Sequence, residues 1–110
     1  MSQPDLGALL ARAREVQERL AGLQRDLAAR SVEASAGAGL VTAVASGALR
    51  VLELRIDPTL LASGDRDMLQ DLVAAAVNAS LEKAQRMVQE ELQRASLALG
   101  ADAPGERGPG

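Results

Sequence analysis

The stretch VEASAGAGLVTAVASGALRVLELRIDP, residues 32–58, carries most of the information about the fold of this chain. It divides into three short apolar-rich runs, separated by Gly-Ala-Gly at positions 37–39 and by Gly47, and it ends at Asp57 and the proline after it. Glycine at such breaks is typical of turns, because it adopts backbone conformations that other residues avoid. The pattern predicts three short strands joined by two glycine turns, and therefore an antiparallel sheet.

The side chains of the third run alternate in polarity. Leu52, Leu54 and Ile56 fall on one face of the predicted strand, so we expect these three residues to point into a core and the opposite face to be wet. In the second run, Ala43 and Ala45 are small enough to let a helix lie close against the sheet.

A long helix is predicted before the sheet. Ser2 is its expected N-terminal cap. The larger apolar side chains that follow are spaced by three and four residues: Leu6, Leu9, Ala13, Val16, Leu20, Leu23 and Leu27. This heptad seam predicts a partner helix packed along its length, since a 3.5-residue repeat keeps one stripe facing a neighbour.

A second long helix is predicted after the sheet. Asp57 and the proline after it predict a short helical turn over Thr59–Ala62, and Asp65 is expected to cap the long helix over Arg66–Leu99. At 1.5 Å per residue that helix spans about 50 Å and overhangs the sheet. We expect a single domain over residues 1–99 and a disordered Gly/Pro-rich tail over residues 100–110.

These elements define an α+β chain: long helix, three-stranded antiparallel sheet, short helical turn, long helix. One protomer of this size cannot bury the heptad seam, a sheet face and both sheet edges. The sequence therefore predicts a symmetric homodimer with protruding helices, and seam residues are expected at the interface. The candidate interface residues are Leu9, Val16, Leu20, Leu23 and Leu27.

The composition excludes several chemistries. The chain has no Cys, His, Phe, Tyr or Trp, so it has no disulfide, thiolate, imidazole base or aromatic platform for stacking bases. The Gly-Ala-Gly sequence does not continue into a phosphate-binding loop, because Thr42 stands where a third glycine is needed. We expect no enzyme activity, no metal, no cofactor and no small-molecule ligand.

The charge balance argues against a wide basic surface. The net charge is −3 and the pI is about 4.9, so DNA binding would have to be local. The candidate phosphate ligands lie where the two long helices are expected to project beyond the sheet. They are Arg12, Arg14 and Arg19 on the first helix and Lys83, Arg86 and Arg94 on the second. The alternative is a solvated helix face in which neighbouring glutamates balance these cations.

No segment of the sequence predicts export or membrane insertion. The N-terminus lacks a basic stretch followed by an apolar core, and no apolar run is long enough to span a bilayer. We therefore expect a soluble, cytoplasmic protein.

Three segments resemble the YbaB/EbfC family of bacterial nucleoid-associated proteins. They are VEASAGAGLV at residues 32–41, IDPTLL at 56–61 and MLQDLVAAAVN at 68–78, in the order and spacing of the family. The resemblance implies a dimer whose protruding helices form a tweezer-like pair, duplex DNA as partner, and a location at the nucleoid. The chain departs from the family at Val77, where phenylalanine is common, and in its C-terminal tail.

The expected function is therefore that of a nucleoid-associated protein that binds duplex DNA as a dimer, mainly through phosphates and with little sequence specificity. The six cations named above are inferred from their placement and are not carried over from the family, which has no short motif for its DNA contacts. The alternative is a dimeric scaffold that binds a replication or recombination partner protein through its helix cleft.

Overall fold

The computed structural model describes residues 5–101, with side chains described through Ala98. It confirms the predicted α+β order of elements. The elements are α1 (Leu6–Ala29), β1 (Ser31–Ala36), β2 (Val41–Ser46), β3 (Val51–Ile56), α2 (Pro58–Ser63) and α3 (Arg66–Ala101). The molecule measures 79 × 31 × 15 Å, and the helices that leave the sheet account for its length.

Helix α1 begins later than the expected cap at Ser2. Asp5 is the N-cap, and its carboxylate accepts hydrogen bonds from the N–H groups of Gly7 and Ala8. A carboxylate bonded to the first free N–H groups is a favourable helix start, also because it faces the positive end of the helix dipole. The helix ends at Arg30, which is extended and leads directly into β1.

The sheet has the order β1-β2-β3, and both pairings are antiparallel. Its first turn requires glycine at Gly37, which has φ +65° and lies so close to α3 that a Cβ would come within 2.7 Å of Leu72. A β-bulge shifts the β2–β3 register between Val44 and Ala45. The central strand β2 is covered most completely, since it has a neighbour on each side and α3 above it.

Helix α3 packs across β1 and β2. The core that results contains Val41 and Ala43 from β2, Leu60 from α2 and Ala76 from α3. Ala43 and Ala45 are both 0% exposed. This burial confirms that small side chains in β2 let the helix approach the sheet closely.

The predicted core side of β3 is wrong for two of its three residues. Leu52 is 59% exposed and Leu54 is 40% exposed, whereas Ile56 is half-buried and packs against the core. Alternation gave the correct common face for Leu54 and Ile56, which pair with Ala43 and Val41 on the covered side of the sheet. That face is left open along β3 because α3 lies over the other two strands.

The caps around α2 follow the prediction. Asp57 accepts hydrogen bonds from the N–H and hydroxyl groups of Thr59 at 2.8 and 2.6 Å, and Gly64 ends α2 in the left-handed conformation. These two hydrogen bonds hold the pKa of the Asp57 carboxyl below its ordinary value. Asp65 caps α3 through the N–H of Met68. Helix α3 continues through Ala101, two residues beyond its expected end, and most of the predicted tail lies outside the described residues.

Candidate nucleic-acid interface

The arginines of α1 lie on a helix that leaves the sheet completely. Every described residue from Asp5 to Glu15 is exposed, and burial begins at Val16. Arg12, Arg14 and Arg19 are exposed, and none of them forms an ion pair with a carboxylate of the described residues. The structure therefore places the three predicted arginines of α1 on a projecting arm.

These three arginines do not share one face of α1. Arg12 and Arg19 are seven residues apart, which is close to two helical turns, so they lie in one row beside the apolar seam. Arg14 lies on the other side of the helix, where it shares a row with Arg25, eleven residues later. A rigid duplex that contacts the first row cannot contact Arg14 of the same protomer in the same way.

The predicted cations of α3 are placed differently from the expectation. Lys83 does not project beyond the sheet, because its Nζ donates a hydrogen bond of 2.8 Å to the backbone carbonyl of Glu33 on β1. Arg86 lies between this contact and Glu91, which reaches Arg30 at the start of β1, so Arg86 also flanks the sheet. Only Arg94 lies beyond it. The physical reason is that a helix rises 1.5 Å per residue and a strand about 3.3 Å, so many residues of α3 are used in crossing short strands.

Arg94 is held by an ion pair that also involves a residue absent from the predicted set. Its Nη1 donates to Oε1 of Glu91 at 2.6 Å, and Nη1 of Arg30 lies 3.7 Å from the same oxygen. Arg30 is the last residue before β1. No spacing in the sequence pairs it with a residue 61 positions later, so only the folded chain reveals this contact.

A groove of about 410 Å³ runs between α1 and the end of α3. Its floor is apolar and contains small residues, and its rim is charged. The lining residues are Glu18, Arg19, Leu20, Gly22, Leu23, Asp26, Ala95 and Ala98. One row of α1 thus brings a phosphate-binding candidate, Arg19, to the edge of the helix cleft.

The heptad seam is buried at one end only. Leu27 is 2% exposed and belongs to the packing of the protomer itself, Val16, Leu20 and Leu23 are half-buried, and Leu9 is 55% exposed. The seam side chains become more exposed toward the tip of the arm, where α3 no longer accompanies α1. A second exposed apolar surface follows β3 through Leu52 and Leu54.

The uncovered face of the sheet is polar. Arg55 pairs with Glu33 across β2 at 2.9 Å and with Glu53 on its own strand at 3.1 Å. The hydroxyl groups of Ser35 and Thr42 are hydrogen-bonded beside them at 3.0 Å. Because carboxylates surround Arg55, this face offers less attraction to phosphate than the row on α1.

The acidic side chains of the described residues are spread over the surface. No group of three or more of them in this part of the chain is arranged to hold a metal ion. Nor does a helix within residues 5–101 have the length and apolar content needed to cross a membrane.

The fold and its exposed cations define a small α+β protein with a cationic helical arm. The chain belongs to the YbaB/EbfC DNA-binding family, whose model matches residues 2–99. This is a family of nucleoid-associated DNA-binding proteins and not an enzyme family.

Relatives and a solved structure agree with this assignment. A protein of Syntrophobacter fumaroxidans, named a nucleoid-associated protein, is 41% identical over 95 residues, which are 86% of this chain and 84% of the relative. A nucleoid-associated protein of Rhodococcus erythropolis is 39% identical over 102 residues, with 93% and 91% covered. The crystal structure of an uncharacterized Helicobacter pylori protein shares the fold, with a TM-score of 0.62 at 18% identity over 88% of this chain and 98% of that one.

Proposed function

We propose that this protein binds duplex DNA at the nucleoid, as a homodimer, through phosphate contacts that carry little sequence specificity. The observation that supports this most directly is the row of Arg12 and Arg19 on the arm. Both guanidinium groups are exposed and form no ion pair within the described residues. Seven residues of helix separate them by about 10 Å, so one arm can contact separate phosphates of a DNA backbone.

The overall negative charge does not oppose this proposal. The net charge is −3, but at physiological salt a charge acts over a Debye length of about 8–10 Å. Many of the carboxylates lie farther than that from the tip of the arm, for example Asp57 and Asp65 at the opposite end of the sheet. Attraction at the arm is therefore set by the local balance of arginines and glutamates on α1.

Low sequence specificity follows from the type of contact. Guanidinium groups bound to phosphates position a protein on DNA but do not read base edges. The chain has no aromatic side chain for stacking on bases. Its two long helices are separated by a sheet, so they do not form a helix-turn-helix unit that would place a recognition helix in the major groove.

Two exposed apolar surfaces support the dimer. Leu9, Val16, Leu20 and Leu23 are retained as proposed interface residues, and the exposed leucines of β3 offer a second surface for the partner copy. Leu27 is proposed with them, although its side chain already packs within the protomer. Leu9→Asp tests the seam without disturbing the protomer core, and Leu52→Asp tests β3. Light scattering that shows both variants dimeric at micromolar concentration would exclude both surfaces.

The DNA proposal is tested by titrating a random-sequence duplex at two salt concentrations. In Arg12→Gln/Arg19→Gln we expect weaker binding and a salt slope that is smaller by about 0.9 for each phosphate that the variant no longer binds. The matched control is Arg14→Gln/Arg25→Gln, which removes the same charge from the same helix on its other face. Equal weakening in both variants would mean that only net charge matters, and the row would then have no special role.

A partner-binding scaffold is the second candidate, and the groove between α1 and α3 favours it. Leu20, Leu23, Ala95 and Ala98 give the groove an apolar floor on which a partner helix could pack. If Arg12→Gln/Arg19→Gln binds duplex DNA as tightly as the parent, the arginines are a solvated face. Loss of partner binding in Ala95→Glu would then support the scaffold function.

A further inference from the structure

Three charged side chains meet where the arm leaves the sheet. Oε1 of Glu91 accepts a hydrogen bond of 2.6 Å from Arg94 and lies 3.7 Å from Nη1 of Arg30, so one carboxylate oxygen faces two guanidinium groups. The side chains of Arg30 and Arg94 are 53% and 71% exposed, whereas that of Glu91 is only 25% exposed. We call these three residues the arm-root triad.

The backbone holds Arg30 in place. Its N–H donates to the carbonyl of Leu27 at 3.1 Å, and its carbonyl accepts from the N–H of Gly47 at 2.9 Å. Gly47 lies directly against the last turn of α1, where a Cβ would come within 1.9 Å of the Leu27 carbonyl oxygen. Arg30 is therefore fixed relative to β2 on both sides, unlike the arginines farther out on the arm.

The triad carries one net positive charge and keeps most of its donors. Each guanidinium has five N–H groups in a planar fork, and the contacts to Glu91 involve a single nitrogen of each. The remaining donors of Arg30 and Arg94 are exposed on neighbouring helices. Two guanidinium forks held close together suit a phosphodiester, whose two unbridged oxygens accept paired hydrogen bonds.

We propose that Arg30 and Arg94 together bind one phosphate group of the DNA backbone, and that Glu91 is the positioning residue that holds the two guanidinium groups in register. This assignment rests on the proposed DNA binding and extends it, because it adds Arg30 and places a contact at the root of the arm. The competing explanation is that the triad only ties α1 to α3. Exposed ion pairs contribute little to folding stability, which argues against that explanation.

Arg94→Gln separates the two explanations. Arg94 and Glu91 lie on the same helix, three residues apart, so this change leaves the Arg30–Glu91 contact between α1 and α3 in place. A variant that binds one phosphate fewer has a salt slope smaller by about 0.9 and binds DNA about eightfold more weakly at 0.1 M salt. We expect this change for Arg94→Gln and for Arg30→Gln, relative to the control Arg25→Gln, an exposed α1 arginine without an ion pair in the described part of the chain.

Glu91→Gln tests the positioning role. The change makes the protein more positive, so if Glu91 merely repels DNA, binding tightens and the salt slope is unchanged. If Glu91 positions the two arginines, binding weakens and the slope falls, although the net charge has become more favourable. Thermal melting of each variant, followed by circular dichroism, shows that the compared proteins are folded.

The outcomes of these titrations are distinct. A parent protein that fails to bind random duplex DNA overturns the proposed function, and the triad assignment with it. A parent that binds, with Arg30→Gln and Arg94→Gln equal to Arg25→Gln, overturns the triad assignment alone. Tighter binding by Glu91→Gln overturns the positioning role. If Arg30→Gln proves unfolded, Arg94→Gln decides, since it does not touch the contact between the helices.

Discussion

Replacing Gly47 by alanine tests how the arm is attached to the sheet. A Cβ at this position would lie 1.9 Å from the carbonyl oxygen of Leu27 and 2.7 Å from its carbonyl carbon. Both are backbone atoms, so no side chain can rotate away to make room. The last turn of α1 must therefore move by about 1 Å or more to restore ordinary contact distances.

The cost of this movement can be worked from the interactions it disturbs. Forcing an extra carbon into a packed site costs about 1–3 kcal/mol. The shift also breaks the hydrogen bond of 2.9 Å from Gly47 N–H to the Arg30 carbonyl, with a net cost of about 0.5–1.5 kcal/mol. We expect a decrease of about 2–4 kcal/mol in the free energy of unfolding, which lowers the Tm of a domain of this size by on the order of 10–20 °C.

The assay is thermal melting followed by circular dichroism at equal protomer concentration, because the Tm of a self-associating protein depends on concentration. Gly22→Ala is the matched control. Its Cβ would meet nothing closer than Arg25 Nη2 at 3.8 Å, and alanine within a helix is favoured over glycine by about 0.5–1 kcal/mol. The same substitution should therefore stabilise one site and destabilise the other. A Gly47→Ala variant that melts within a few degrees of the parent would refute the proposed attachment.

Three further predictions concern the opposite end of the sheet and the tail. Hydrogen bonds from Thr59 lower the pKa of the Asp57 carboxyl, so its carboxylate contributes stability above the ordinary pKa of about 3.9 that is lost as the pH falls through the lower folded value. Melting curves of Asp57→Asn should accordingly change less than those of the parent below about pH 4. Gly37→Ala puts a left-handed alanine against Leu72 and should cost about 1–2 kcal/mol in urea unfolding; an unchanged midpoint would contradict this. Deleting residues 102–110 should leave the Tm within a few degrees of the parent, since the core is complete without them.

Local chemistry explains what could be predicted about the fold. The three strands, the glycine turns and the caps at Asp57 and Asp65 all depend on residues within a few positions of one another. Glycine is needed where φ is positive, and a carboxylate before a helix bonds its free N–H groups. Such features are present in the sequence because neighbours along the chain are also neighbours in space. The N-cap at Asp5 in place of Ser2 shows that even these rules leave a choice between nearby candidates.

The candidate site was predictable in part for the same reason. The sequence placed Arg12 and Arg19 on a projecting helix, and helical periodicity alone separates them from Arg14. The sequence did not show that Lys83 reaches the edge of β1, since 50 residues separate Lys83 from the carbonyl that it contacts.

The elements, their order and the faces that their side chains share follow from the sequence alone. Alternation along β3 grouped Leu54 with Ile56, but it could not show that α3 covers one of them and leaves the other exposed. In the same way, the charges of Arg30 and Glu91 were visible, but not their meeting at the root of the arm. Periodicity sets the direction of a side chain relative to its own backbone, whereas burial and pairing depend on how elements far apart in the chain pack against one another in three dimensions.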